Sequence, residues 1–105
     1  MASARRKLGL MVSTAPDHPN LETALGLSKA ALDGGGDVYL YLIDDAVAAV
    51  EDARLLALAD RGLNLFVCAY GCQKRRRPLS DRATNCGLVV LTDVINGTDR
   101  FLSLN

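Results

Sequence analysis

The sequence has no tryptophan, only three tyrosines and two phenylalanines, and no net charge. Half of its residues are apolar, so a core must be built mainly from Leu, Val and Ala, which suits helices packed on a sheet better than an aromatic-rich β-sandwich. The 12 basic and 12 acidic side chains balance, which removes the general attraction to nucleic acid shown by a basic domain. We therefore expect no nucleic-acid partner, and a neutral surface permits self-association.

Long apolar runs and a disulfide framework are also missing. No stretch approaches the ~20 apolar residues needed to span a bilayer, and the apolar run after the basic residues 5–7 is too short for a signal peptide. Three cysteines are an odd number, and a chain of this length buries enough surface to fold without disulfides. These absences predict one domain over residues 1–105, in the cytoplasm, with reduced thiols and no membrane contact.

Apolar runs and helical spacings alternate along the chain. Strands are expected at residues 8–12, 38–43, 63–68 and 99–104, helices at 21–32, 46–50, 51–61 and 86–96, and a polar connector at 78–85. This alternation predicts a three-layer α/β/α domain with a mainly parallel sheet of four to five strands. Ligand chemistry in such sheets lies beyond the C-terminal ends of the strands.

The third predicted strand ends in Cys68, and Cys72 follows one helical turn later. A thiol at a strand-to-helix turn beside positive charge is favoured as the reactive thiolate. Free cysteine is also among the most buried residue types, and the residues alone leave these two interpretations balanced. Cys72 could form a disulfide with Cys68 or resolve a sulfur adduct on it. The run that includes Lys74, Arg75 and Arg76 predicts anion binding or partner docking, although most basic runs are solvated helix faces.

His18, Cys68, Cys72 and Cys86 supply the number of ligands that a structural zinc uses. The usual paired spacing is absent and the neighbouring cations oppose a dication, so we expect no metal and no cofactor. Cys86 is expected to be a core residue at the start of the last helix. His18 could reach Cys68 as a base if the first and third strands are neighbours, but an exposed loop position is the simpler interpretation.

With these residues assembled, the chain resembles the DsrE/DsrF-like family of small sulfur-relay proteins, which includes the TusD-type subunits. The resemblance rests on Cys68 at a strand end with Gln73 and basic residues shortly after it, and on the glycine-led amphipathic helix at residues 87–95. It also rests on the pair Asp99-Arg100 before a short apolar strand. These features lie in the C-terminal part of the chain, and the N-terminal half agrees in the order of strands and helices.

The resemblance implies a DsrE-like fold and a persulfide on Cys68 that is passed between the thiols of sulfur donor and acceptor proteins in the cytoplasm. Cys72 would take the part of the second nearby cysteine found in some members. Trimeric or hexameric assembly is implied as well, by the chain itself or with sister subunits. Two alternatives stay open: a non-catalytic assembly subunit with structural cysteines, and a thiol-disulfide switch through Cys68 and Cys72.

Overall fold

Five strands form a single parallel sheet in this computed structural model, which describes residues 5–105. Residues 1–4 lie outside the described residues. They belong to the predicted domain and to the N-terminal stretch that was predicted not to be a signal peptide. The strands are β1 (Lys7–Val12), β2 (Asp37–Leu42), β3 (Asn64–Cys68), β4 (Thr84–Cys86) and β5 (Arg100–Leu104). Their order across the sheet is β4-β3-β2-β1-β5, and every neighbouring pair is parallel. The predicted α/β fold with a parallel sheet is confirmed.

Helices connect successive strands. They are α1 (Pro19–Asp33), a 3₁₀ helix (Asp44–Glu51), α2 (Ala53–Asp60), α3 (Ala69–Lys74) and α4 (Leu88–Gly97). From β1 to β4 each connection steps in the same direction across the sheet, whereas the connection from β4 to β5 crosses back. Right-handed crossovers therefore place α1 and α2 on one face and α4 on the other. No helix within residues 5–105 has the length and apolar character needed to cross a membrane.

The two faces of the sheet are filled differently. Leu10 pairs in register with Leu40, and Leu40 with Leu65, so these three buried side chains share the face covered by α1 and α2. The opposite face carries the aromatic side chains of β2 and β3 and packs against α4. Gly9 lies on that face, where a Cβ atom would come within 2.8 Å of the Thr98 hydroxyl oxygen. Glycine at this position lets the C-terminal end of α4 approach the sheet closely.

Three expectations from the sequence were wrong. The polar connector predicted at residues 78–85 contains most of β4, and Cys86 ends that strand instead of beginning the last helix. β4 is a three-residue edge strand paired on one side only, so a polar sequence with no alternating pattern is sufficient to form it. The first and third strands are not neighbours either, because β2 lies between them.

Candidate functional site

Cys68 lies where β3 ends and α3 begins, at the C-terminal edge of the sheet. It is the N-cap of α3, and its Sγ atom accepts a hydrogen bond from the Gly71 backbone N–H at 3.3 Å. This is the contact that a serine oxygen makes at an N-cap, here made by sulfur. The side chain is only 4% exposed. The thiol is thus both a buried strand residue and a residue at the strand-to-helix turn, the two alternatives that the sequence left balanced.

Gly71 allows this contact because of its small size. A Cβ atom at Gly71 would lie 3.1 Å from Cγ1 of Val47, a fully buried side chain of the 3₁₀ helix. That separation is tighter than normal packing, so a larger residue would push α3 away from the 3₁₀ helix. The close approach of these two elements keeps the Gly71 N–H over the Cys68 sulfur.

Cys86 lies directly beside Cys68 in the sheet. The two residues are register partners on the neighbouring parallel strands β3 and β4, so their side chains point to the same face. The Cys86 thiol, which is half-buried, lies 3.8 Å from the carbonyl oxygen of Val67, the residue that precedes Cys68. Burial raises the pKa of Cys86, and a negative charge on Cys68 would raise it further, while the Tyr41 phenol acts in the opposite direction.

Tyr41 completes this group and was missed in the sequence analysis. Its side chain is fully buried on the same face, and its hydroxyl donates a hydrogen bond to the Gly87 carbonyl oxygen at 2.9 Å. Burial raises the pKa of Tyr41 strongly, and thiolate charge on Cys86 or Cys68 raises it further, so the phenol stays a neutral donor. The available signal was a tyrosine inside an aliphatic strand, because a buried tyrosine hydroxyl requires a partner.

Cys72 lies on α3 and is fully buried. Its carbonyl oxygen accepts a hydrogen bond from the Arg77 backbone N–H at 2.8 Å, which closes the helix end. Burial raises the pKa of Cys72, and charge on Cys68 raises it further, whereas Arg77 lowers it. The thiol is therefore neutral, packed in the core and withdrawn from solvent.

The predicted basic residues lie at the other end of α3. Lys74 is exposed in the last helical turn, and Arg76 is exposed with a positive φ of 54°. Arg75 forms an ion pair with Asp45, with 3.0 Å between Nε and the carboxylate oxygen. Within residues 5–105 no hydrogen bond joins any of these three cations to the Cys68 sulfur. They form a basic surface next to the site and do not line it.

His18 does not belong to the site. It is the exposed N-cap of α1, and its Nδ1 atom accepts a hydrogen bond from the Asn20 backbone N–H at 3.1 Å. With β2 between β1 and β3, the hypothesis that His18 serves as a base for Cys68 has no support. The part of the chain that the structure describes contains no group of three or more His, Cys, Asp and Glu side chains placed to hold a metal ion.

Solved structures share this fold over almost the whole chain. The ychN protein from E. coli matches 96% of this chain and 100% of its own, with a TM-score of 0.77 at 19% sequence identity. A conserved protein of unknown function, BT1422 from Bacteroides thetaiotaomicron, matches 93% of this chain and 94% of its own, with a TM-score of 0.76 at 14% identity. No protein-family model and no curated protein matched the sequence. The predicted α/β fold with a parallel sheet is thereby confirmed, and at these identities the similarity is one of fold.

Proposed function

We propose that this protein is a TusD-type member of the DsrE/DsrF-like family, a sulfur-relay protein that carries sulfane sulfur on Cys68 as a persulfide. The observation that carries the proposal is the position of this thiol at the C-terminal end of β3, with a backbone N–H donated to its sulfur at 3.3 Å. A positioned N–H donor stabilises an anionic sulfur. The anion is both the thiolate that attacks the sulfur donor and the form in which the persulfide is carried. The fold shared with the solved structures agrees with this assignment.

The chemistry needs one nucleophilic thiolate and no cofactor. The Cys68 thiolate attacks the outer sulfur of a donor persulfide R–S–SH, the S–S bond of the donor breaks, and the products are Cys68–S–SH and R–S⁻. Delivery repeats the step with an acceptor thiolate, which takes the outer sulfur and leaves the Cys68 thiolate. As a sulfurtransferase-type carrier the protein holds the sulfur only between these two exchanges.

Access to Cys68 is the main structural demand on this function, because the residue is only 4% exposed. In a persulfide the atom that a partner must reach is the outer sulfur, one S–S bond, about 2.05 Å, beyond Sγ. A partner thiol must still displace part of the cover. The three-residue edge strand β4 lies directly beside Cys68 and is paired on one side only, so it is the neighbouring element that moves at the least cost.

The surface around the site supports protein partners. Lys74 and Arg76 are exposed cations at the C-terminal end of α3, and in this proposal they dock an acidic donor or acceptor protein in the cytoplasm. Tyr70 and Val89 are 68% and 76% exposed, which is a high value for large apolar side chains. Such side chains favour self-association into a trimer or hexamer, or assembly with sister subunits.

A persulfide donor such as glutathione persulfide tests the carrier function. In a Cys86→Ser protein, which lacks the thiol at the register position beside Cys68, mass spectrometry after incubation and removal of the donor should show an added sulfur, about 32 Da, on the tryptic peptide of residues 62–74. That peptide holds both Cys68 and Cys72, so the matched variants are Cys68→Ser with Cys86→Ser, which should lose the adduct, and Cys72→Ala with Cys86→Ser, which should retain it. Absence of the adduct from both remaining cysteines in the Cys86→Ser protein would remove the proposal.

A non-catalytic assembly subunit is the second candidate, and the burial of Cys68 together with the exposed apolar side chains favours it. Leu88 and Val89 at the start of α4 are 57% and 76% exposed. In this case the cysteines are structural and the basic residues belong to an interface. A Cys68→Ser variant that retains its oligomeric state and supports unchanged sulfur transfer by its partners would favour the assembly role.

A further inference from the structure

Cys68 and Cys86 are placed as a reactive pair. Neighbouring strands lie ~4.7–4.9 Å apart, and register partners such as these face each other across that gap. Disulfides join cysteines whose Cα atoms are about 4.4–6.8 Å apart, so the strand spacing lies within the Cα range of an S–S bond. The Cys86 sulfur also lies over β3, 3.8 Å from the carbonyl oxygen of the residue before Cys68. From the sequence, Cys86 was weighed only as a zinc ligand and was expected to be a core residue.

We propose that Cys86 is the resolving thiol of Cys68: when Cys68 carries a second sulfur, Cys86 attacks the Cys68 sulfur and closes a disulfide between β3 and β4. With a persulfide the reaction is Cys68–S–SH plus Cys86–S⁻ giving Cys68–S–S–Cys86 plus HS⁻. With a low-molecular-weight disulfide R–S–S–R, Cys68 first displaces one R–S⁻ and Cys86 then displaces the other. The small disulfide is the two-electron oxidant, and each R–S⁻ takes up the proton of one thiol.

The inference deepens the proposed function, because it names the thiol that discharges an adduct on Cys68. A carrier that meets no acceptor would release its sulfur as sulfide and become locked as the disulfide. A thiol reductant would reopen the bond and restore the carrier. The pair thus sets a limit on how long a persulfide survives on this protein.

Cys86 fits this role better than Cys72. At a rise of ~1.5 Å per residue, four residues of helix span about 6 Å, and Cys68 has an extended backbone at the N-cap, before the first helical turn. The separation of Cys68 and Cys72 therefore lies near the upper end of the disulfide range. Cys72 is also fully buried, whereas Cys86 is half-buried, so an external reductant reaches a bond to Cys86 more easily.

The surrounding elements allow the small movement that closure requires. Cβ atoms in a disulfide are about 3.5–4.5 Å apart, closer than the strand spacing, so one strand must move inwards. β4 has three residues, lies at the sheet edge and is paired only with β3. The Tyr41 hydroxyl bonded to the Gly87 carbonyl holds the end of β4 in its reduced position. A bond that draws β4 inwards is expected to be readily reduced, as suits a reversible reaction.

The test uses the full-length protein, oxidised glutathione and peptide mapping without reductant. Trypsin leaves Cys68 and Cys72 together in the peptide of residues 62–74, while Cys86 lies in that of residues 83–100. In Cys72→Ala the expected product is the first peptide linked to the second, with no glutathione attached. In Cys86→Ser the expected product is glutathione retained on the first peptide. Wild-type protein should lose two of its three free thiols and remain monomeric on a denaturing gel.

Three results would overturn the inference. One is a stable glutathione adduct on Cys68 in the Cys72→Ala variant. Another is Cys86→Ser closing a disulfide within residues 62–74 as fast as wild-type protein forms its own. The third is a folded protein whose Cys68 stays unreacted while the unfolded chain reacts in urea. A chain that closes the disulfide with oxidised glutathione, but whose Cys86→Ser variant takes no sulfur from a persulfide donor, would retain this inference and lose the carrier function. A chain whose Cys86→Ser variant takes up the sulfur, but which closes no disulfide itself, would lose this inference and retain the carrier function.

Discussion

Replacing Tyr41 with phenylalanine removes a single oxygen atom from the centre of the candidate site. The Tyr41 hydroxyl donates to the Gly87 carbonyl oxygen at 2.9 Å and lies 3.5 Å from the carbonyl oxygen of Cys86. The phenylalanine ring fills the same space in the core, so no cavity forms. The free energy of unfolding should therefore report the hydrogen bond alone.

The size of the effect follows from the surroundings of the acceptor. A hydrogen bond of this kind contributes about 1 kcal/mol, and a buried carbonyl left without a partner costs up to about 3 kcal/mol. Gly87 itself is exposed, so water can replace the lost donor and the lower value applies. We expect Tyr41→Phe to lower stability by about 1 kcal/mol, which corresponds to a fall in Tm of roughly 4–8 °C for a domain of this size.

Tyr39 is the matched control for this measurement. It lies on the same face of β2, stacked on Phe66 with 6.5 Å between ring centroids, and its hydroxyl makes no hydrogen bond within residues 5–105. Tyr39→Phe should change stability by less than about 0.5 kcal/mol. Urea unfolding of both variants decides the matter. Equal losses in the two variants, or no loss in Tyr41→Phe, would refute the assignment of Tyr41 as the residue that holds β4.

Three further substitutions test packing at the site and charge elsewhere in the fold: Gly71→Ala with its control Gly26→Ala, and Asp52→Asn at the start of α2. Gly71→Ala should destabilise the protein by about 1–3 kcal/mol, because the new methyl group meets Val47 at 3.1 Å. In Gly26→Ala, in α1, the new methyl group meets nothing within 4 Å, so this variant should be more stable by about 0.5–1 kcal/mol in the same urea titration. Hydrogen bonds from Arg54 lower the pKa of Asp52, the N-cap of α2, below its ordinary value of 3.8. The stabilisation of the folded protein by the ionised Asp52 is therefore present above pH 3.8 and lost as the pH falls through the lowered pKa. Asp52→Asn should therefore make the free energy of unfolding fall less steeply in acid. An unchanged slope of the free energy of unfolding against pH would contradict this.

The sequence allowed the layers of the fold and the place of Cys68 to be predicted. Apolar runs alternating with helical spacing are a local signal, and a parallel sheet follows from them through the handedness of the connections. Cys68 ends such a run, so its position at the C-terminal edge of the sheet needed no tertiary information. The relative positions of β1 and β3 did need tertiary information, and the expectation that these two strands are neighbours was wrong.

The rest of the site depends on pairing between distant segments. β4 has no apolar alternation, since an edge strand is paired on one side only, and it was therefore read as a connector. The register that brings Cys86 beside Cys68 is set by the sheet and not by the residues around either cysteine. Tyr41 was assigned correctly to a strand. Its hydrogen bond to Gly87 exists only because the fold places the junction between β4 and α4 next to the Tyr41 hydroxyl.

The most direct test of the central claim is sulfur transfer by a protein with a single thiol. The double variant Cys72→Ala, Cys86→Ser retains Cys68 alone among the three cysteines. After treatment with glutathione persulfide its intact mass should increase by one sulfur, about 32 Da, and the increase should disappear when an acceptor thiol is added. An unchanged mass in this folded variant, with the increase found instead in Cys68→Ser, would contradict the assignment of Cys68 as the sulfur carrier.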